Sequence, residues 1–253
     1  MDARDDEACG RKRGEGVATR LSGVVIEALD VRAQARFWAD ALQWRTVDGD
    51  PAGTRVGAPP DQDEGISLLF VPTTRPKTTK NRVHLDLTAG PGQAGQVRRL
   101  LGLGAVRADI GQGDVPWDVL ADPEGNEFCV LTGEDPGRHL AAVCLDAADP
   151  MTQGRFWAAA TGWQIMDKGD WGVRFRSPAG RGPALVLGPP AAPKNGRNRL
   201  CLDVETEPGS DPAAEIARLV TVGASHVGHS QDREAAPLTL ADPEGNEFRI
   251  LEG

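Results

Sequence analysis

Eight residues, Ala121-Asp122-Pro123-Glu124-Gly125-Asn126-Glu127-Phe128, recur without a change as Ala241-Asp242-Pro243-Glu244-Gly245-Asn246-Glu247-Phe248. An identity of this length inside one chain makes duplication the first constraint on the fold. Each copy reads as a hairpin turn, because Pro is pre-set for the first central position and Gly supplies the positive φ that lets the chain double back. Val119-Leu120 and Phe128 to Leu131 flank the first turn, and Leu238-Thr239-Leu240 and Phe248 to Leu251 the second, so two strands meet at each. A chain of 253 residues then divides into two domains of ordinary size.

The rest of the chain keeps the same rhythm. Leu21 to Leu29, with β-branched Val24, Val25 and Ile26, reads as a strand. Asp30 then caps a helix on which Ala35, Trp38 and Leu42 recur at helical spacing, beside Phe37 and Ala41. Half a chain later Leu140 to Leu145 repeats the strand, Asp149-Pro150 supplies cap and first-turn proline, and Phe156-Trp157 falls where Phe37-Trp38 fell. Trp38 and Trp157 are expected in the core. Beyond Trp44 and Trp163 lie short strand candidates: Thr54 to Ala58, Ile66 to Val71, Trp171 to Arg176 and Ala184 to Leu187. Lys80 to Leu87 and Arg197 to Val204 both alternate strictly, the pattern of a strand with one dry face. Helix candidates follow over Gly95 to Leu103 and Pro212 to Val222. Each half thus reads as two βαβββ units, and the chain as four, an α+β arrangement. The expected division is a disordered, charged tail over residues 1–19, a first domain over 20–133, a linker over 134–139 and a second domain over 140–253.

Charge narrows the partners. A net charge of −9 and a pI near 5.0 lack the basic footprint that nucleic acid or an anionic membrane demands, so a small molecule is the expected partner of a monomer or homodimer. Cys9, Cys129, Cys144 and Cys201 show neither CxxC spacing nor a dense disulfide framework, which points to reduced thiols in a cytoplasmic protein. No apolar run approaches a membrane span, and no signal-peptide core opens the chain.

The order of units, with a strand-Asp-x7-Phe-Trp helix at the start of each half and Asp-Pro-Glu-Gly-Asn-Glu-Phe at its end, resembles the vicinal oxygen chelate superfamily. That family includes glyoxalase I, extradiol dioxygenases, methylmalonyl-CoA epimerase, fosfomycin-resistance enzymes and bleomycin-binding resistance proteins. The match looks closest to its glyoxalase-like domain branch, in tandem, from about residue 21 to 252. The resemblance implies that paired βαβββ units curl their mixed sheets into half-open cups, with helices outside and ligand within. Asp-Pro-x-Gly-Asn marks that fold and says little about activity.

Strand alternation then assigns faces. Val83, Leu85 and Leu87 go to the helices, leaving Arg82, His84 and Asp86 for the first cup; by the same rule Arg199, Cys201 and Asp203 face the second. Glu127 and Cys129 point inward in the first half, Glu247 and Arg249 in the second. Glu27 and Asp146 are matched charges on otherwise apolar opening strands, and Trp117 is placed at the first cup. Metal-dependent members of the family carry ligands on the opening, fourth, fifth and eighth strands. The resemblance puts these positions on Gly23, near Leu69, on Arg82 and on Cys129, and in the second set on Ala142, near Val186, on Arg199 and on Arg249. Arginine has no lone pair to give, so the usual metal site is not expected in either half. His84 is expected as a non-ligand, and Asp86 and Asp203 either brace a turn or pair with Arg82 and Arg199. His226 and His229 diverge at their spacing and are set aside, while Cys144 and Cys201 are candidates for a thiol pair in the second cup.

Three functions compete on these residues. The first is a metal-free binding protein whose Arg82 and Trp117 in one cup, and Arg199 and Arg249 in the other, hold an anionic or aromatic molecule. The second is an enzyme in which Glu27 or Glu127, beside His84, abstracts a proton while Arg82 stabilises the oxyanion. A variant of that reading gives the first domain a divalent ion through His84, Glu127 and Cys129; otherwise no cofactor is expected. The third is a scaffold with vestigial cups.

Overall fold

The computed structural model describes residues 18–47, 52–59, 65–90, 92–133, 139–227 and 237–253. All but the last two residues of the expected tail, most of the expected linker, and His229 lie outside them.

Each half folds into two βαβββ modules. The first contains β1 (Thr19–Ala28), α1 (Val31–Leu42), β2 (Arg45–Val47), β3 (Thr54–Gly57) and β4 (Ser67–Pro72). The second contains β5 (Val83–Leu87), α2 (Gln93–Gly102), β6 (Val106–Arg107), β7 (Asp118–Ala121) and β8 (Glu127–Val130). The third runs β9 (Leu140–Asp146), α3 (Pro150–Thr161), β10 (Gln164–Gly169), β11 (Gly172–Arg176) and β12 (Ala184–Gly188). The fourth runs β13 (Leu200–Thr206), α4 (Pro212–Thr221), β14 (Ser225–His226), β15 (Leu238–Ala241) and β16 (Glu247–Leu251). The helices start where side chains satisfy their first free amides: Asp30 accepts from the Ala33 amide, and Asp149 from those of Met151 and Thr152.

The modules pair across the halves. One eight-stranded sheet has the order β14-β15-β16-β13-β1-β4-β3-β2, the other β10-β11-β12-β9-β5-β8-β7-β6. Antiparallel β1 and β13 join the first module to the fourth, and antiparallel β5 and β9 join the second to the third. The sheets are mixed, since β1 and β4 run parallel, and neither closes into a barrel. The sets of facing residues expected within each half are therefore redistributed. Glu27 shares a sheet with Cys201, Asp203, Glu247 and Arg249, while Asp146 shares one with His84, Asp86 and Cys129. Cys144 and Cys201, expected side by side, lie in different sheets: Cys144 pairs with His84, and Cys201 with Val25.

One continuous core lies under both sheets, and it holds the residues that alternation sends toward the helices, such as Val83, Leu85, Phe128, Leu202 and Phe248. Trp38 on α1 meets Phe128 of β8 at 5.2 Å between ring centroids, and Trp157 on α3 meets Phe248 of β16 at 5.4 Å. Each helix thus packs on a strand of the other sheet. Burying either indole is worth about 1.5–3 kcal/mol or more.

The repeated turn fastens these contacts. Asp122 accepts from the Glu124 and Asn126 amides, both at 2.9 Å, and from Trp38 Nε1 at 3.0 Å. Glu124 then takes the Leu29 and Asp30 amides at 2.9 and 2.8 Å, where β1 passes into α1. Asp242 and Glu244 repeat the arrangement, Glu244 accepting from the Ala148 and Asp149 amides. Gly125 and Gly245, at φ 83° and 80°, occupy the left-handed region the turn needs. The polar residues of the motif are consumed by the architecture, which is why it tracks fold.

Candidate functional site

On the face of the β5–β9 sheet turned from the helices, the register sets Ala184, Ala142, Asp86, Cys129 and Val119 side by side across five strands. The next row brings Val186, Cys144 and His84 together. Ala142, Cys144, Ala184 and Val186 form an apolar cluster separate from the main core. Small side chains on β9 and β12 therefore face a polar wall on β5 and β8.

That wall centres on Asp86. Cys144 Sγ donates to Asp86 Oδ2 at 3.2 Å, and Cys129 is paired with Asp86 on the neighbouring strand of the other side. His84 Nε2 stands 3.6 Å from Asp86 Oδ1, and His84 Nδ1 stands 3.9 Å from Asp146 Oδ1. Lys80 pairs with Asp146. Burial, and then the Asp86 charge, push both the Cys144 and Cys129 thiols upward, so they remain protonated donors. Two buried atoms of the group, His84 Nδ1 and Asp86 Oδ1, have no hydrogen-bond partner among the described residues. A buried polar atom left so costs about 1–3 kcal/mol.

The matching row of the β1–β13 sheet reads Gly57, Ser67, Gly23, Asp203, Arg249, Thr239. Here Arg249 Nε and Nη2 each donate to Asp203 at 2.7 Å, a bidentate pair with Asp203 only 1% exposed. The neighbouring row holds Leu69, Val25 and Cys201, whose thiol burial pushes up to about 12.

Several expected residues face other partners. Arg82 donates to Glu244 at 2.6 Å and to the carbonyls of Ala192 and Asp146; Arg199 pairs with Glu124 and donates to the Arg75 carbonyl. Both guanidiniums are engaged with the repeated turns through their terminal nitrogens. Asp203 pairs with Arg249 rather than Arg199. Glu127 accepts from Lys77 at 2.5 Å and from the Asn81 amide; Glu247 accepts from Lys194 at 2.9 Å and from the Asn198 amide. Glu27, expected beside His84, lies in the other sheet and pairs with Arg75 at 2.6 Å. Trp117 donates to Gln112 at 3.0 Å and lines a cavity of about 320 Å³ in the β6–β7 connection, with Asp109, Asp114 and Asp118.

Comparison with known families and structures fits this architecture. A family model described as "Glyoxalase-like domain" matches twice, over residues 23–131 and 142–251. The chain belongs to the glyoxalase-like domain family. Glyoxalase I from Zea mays is similar over 92% of this chain and 92% of its own, with a TM-score of 0.65 and 12% identity. A candidate dioxygenase from Bacillus subtilis subsp. subtilis str. 168 is similar over 93% of this chain and 86% of its own, with a TM-score of 0.63 and 14% identity. Likeness at these identities establishes the fold. No curated protein matches the sequence.

The metal-ligand set usual in the superfamily does not fit this glyoxalase-like chain. A Cβ added at Gly23 would lie 2.8 Å from the Ser67 carbonyl oxygen, so a ligand-bearing side chain there requires the backbone to move. Arg249 is committed to Asp203, and Ala142 and Val186 offer no donor atom. The fifth-strand expectation is also displaced. The β5 residue beside both Ala142 and Cys129 is Asp86, four positions beyond Arg82. Sequence reasoning missed Lys80 at the site and set Cys144 in the other cup, beside Cys201. Cys144 lies two residues before Asp146, on the same face of β9, but its sheet depends on how the modules pair.

Proposed function

We propose that the protein binds a small molecule on the His84 and Asp86 face of the β5–β9 sheet, and that the β1–β13 sheet no longer takes one. The contrast at one structural position supports this reading: His84 Nδ1 and Asp86 Oδ1 are buried without partners, whereas Asp203 and Arg249 satisfy each other. A molecule that donates N–H or O–H to Asp86, engages His84 and rests its apolar part on Ala142, Ala184 and Val186 relieves both deficits. Because Arg82 and Arg199 are engaged elsewhere, a polar uncharged ligand suits the face better than an anion.

An enzymatic reading keeps one specific observation: the Asp146 carboxylate stands 3.9 Å from His84 Nδ1, too far for a hydrogen bond as it is but on the side from which a carboxylate could orient a general base. With Glu27 in the other sheet, Glu127 held by Lys77 and Arg82 held by Glu244, His84 is the group left to move a proton.

Thermal-shift screening of small hydroxylated and amine-bearing molecules, with native mass spectrometry of the protein as purified, tests the binding reading. A ligand at 100 times its dissociation constant raises stability by about 2.7 kcal/mol. The shift should vanish in Asp86→Asn and His84→Ala and survive in Cys201→Ser. Retention in both of the first two variants, or loss in Cys201→Ser alone, would contradict it.

A further inference from the structure

Resting on that reading of the same face, we propose that His84, Asp86 and Cys144 together hold a borderline-soft divalent cation of the zinc class, leaving one coordination position open to the small molecule. One donor atom from each of these side chains, an imidazole nitrogen, a carboxylate oxygen and a thiol sulfur, lies within 4.8 Å of the other two. Zinc bonds of about 2.0–2.3 Å in a tetrahedral arrangement put neighbouring ligand atoms roughly 3.3–3.8 Å apart. Cys144 Sγ lies 3.2 Å from Asp86 Oδ2 and His84 Nε2 lies 3.6 Å from Asp86 Oδ1, so the thiol and the imidazole each stand near that spacing from an oxygen of the same carboxylate, and a small rotation of the carboxylate lets one oxygen serve both.

The donor types choose the ion. Magnesium and calcium demand shells of oxygen, and this group supplies one carboxylate with a nitrogen and a sulfur. Zinc or cobalt accepts all three. On binding, the Cys144 thiol gives its proton to solvent, and the thiolate and carboxylate balance the two charges of the ion. The surrounding residues suit the outer shell of such a site. Asp146, itself paired with Lys80, stands 3.9 Å from His84 Nδ1, and a small approach on metal binding would let it accept from that nitrogen while Nε2 faces the ion. Cys129 lies beside Asp86 on the neighbouring strand.

A redox role for the two thiols fits less well. Cys129 on β8 and Cys144 on β9 flank β5 on opposite sides, and strands two places apart are separated by about 9.5 Å, beyond disulfide reach. The β1–β13 sheet supplies an internal control, since its matching positions carry Cys201, Val25 and an Asp203 already bound to Arg249.

The test uses the full chain purified without chelator. Elemental analysis should find about one zinc per chain. After stripping, titration with Co2+ should give visible bands of tetrahedral cobalt and a thiolate-to-cobalt charge-transfer band in the near ultraviolet. Cys144→Val, which installs the side chain of Val25 and is expected to fold, should abolish the charge-transfer band. Asp146→Asn should weaken cobalt binding by about 10- to 100-fold, and Cys201→Ser should change nothing. No retained metal together with no charge-transfer band, or a band that persists in Cys144→Val, overturns the proposal. Small-molecule shifts that persist in metal-free protein would show that the binding reading stands without the ion. Cobalt bands without any small-molecule shift would sustain the metal site and count against the binding reading alone.

Discussion

Arg249 grips Asp203 through two hydrogen bonds of 2.7 Å at the same place in one sheet where the other has Cys129 beside Asp86. Duplication produced two faces of one design, and the exchange at the eighth-strand position is the one that decides whether the aspartate is paired. With arginine there, the aspartate is satisfied from within the protein. With cysteine there, it keeps an oxygen without a partner.

Breaking the closed pair should be costly. Arg249→Met or Asp203→Leu alone is expected to destabilise the protein by about 3–5 kcal/mol, because each leaves a buried charge without its partner. The double replacement should recover most of that loss in urea unfolding. Single variants that unfold like wild type would show that the pair is solvated.

The repeated turn makes a second prediction. Arg199 pairs with Glu124, and Arg82 with Glu244, so each turn is tied to the opposite half of the chain. A double-mutant cycle over Glu124→Gln and Arg199→Met should show a coupling of about 1–3 kcal/mol. Pairing Glu124→Gln with Arg82→Met should give additive effects within about 0.5 kcal/mol. Additivity in the first cycle would contradict the cross-half arrangement.

Asp122 and Asp242 set a pH dependence. Burial is the largest influence on both and raises them above 3.8, against the lowering effect of their hydrogen bonds. The folded state then holds these protons more tightly than the unfolded chain. Their contribution to stability is complete below the ordinary aspartate range and is lost as pH rises through their raised values. Subtracting the stability profile of a double Asp122→Asn, Asp242→Asn variant from that of wild type should leave a curve falling with pH over that interval. A rising difference curve would reverse the sign and refute the burial argument.

Thiol chemistry supplies the fourth. Burial raises Cys129, Cys144 and Cys201, so little thiolate is present at neutral pH. In a Cys9→Ser background, alkylation of the native protein should be slow and should become fast on unfolding. Rapid modification of Cys144 in native protein would mean that its face is open to bulk solvent.

Much of this architecture can be read from the chain because it is local. The caps at Asp30 and Asp149, the Phe-Trp pairs on α1 and α3 and the buried side of Val83, Leu85 and Leu87 follow from spacing over a few residues. The faces could be assigned from alternation alone. Their neighbours could not, because ladder hydrogen bonds between β1 and β13 or β5 and β9 carry no side-chain label. Two apolar opening strands of similar composition leave both pairings open. Alternation alone therefore groups Glu27 with His84, and Cys144 with Cys201. The arginines misled for another reason: Arg82 and Arg199 precede β5 and β13, where a long side chain can turn aside to a glutamate contributed by the other half. The short edge strands β2, β6 and β14 bury too little to leave a clear pattern.

The most direct measurement is a crystal structure of the protein as purified, without chelator, searched for density on both faces. The account predicts added density within bonding or hydrogen-bonding distance of His84 and Asp86, with Asp203 and Arg249 still joined. Density seated between a separated Asp203 and Arg249, or His84 and Asp86 satisfied wholly by other side chains of the protein, would contradict it.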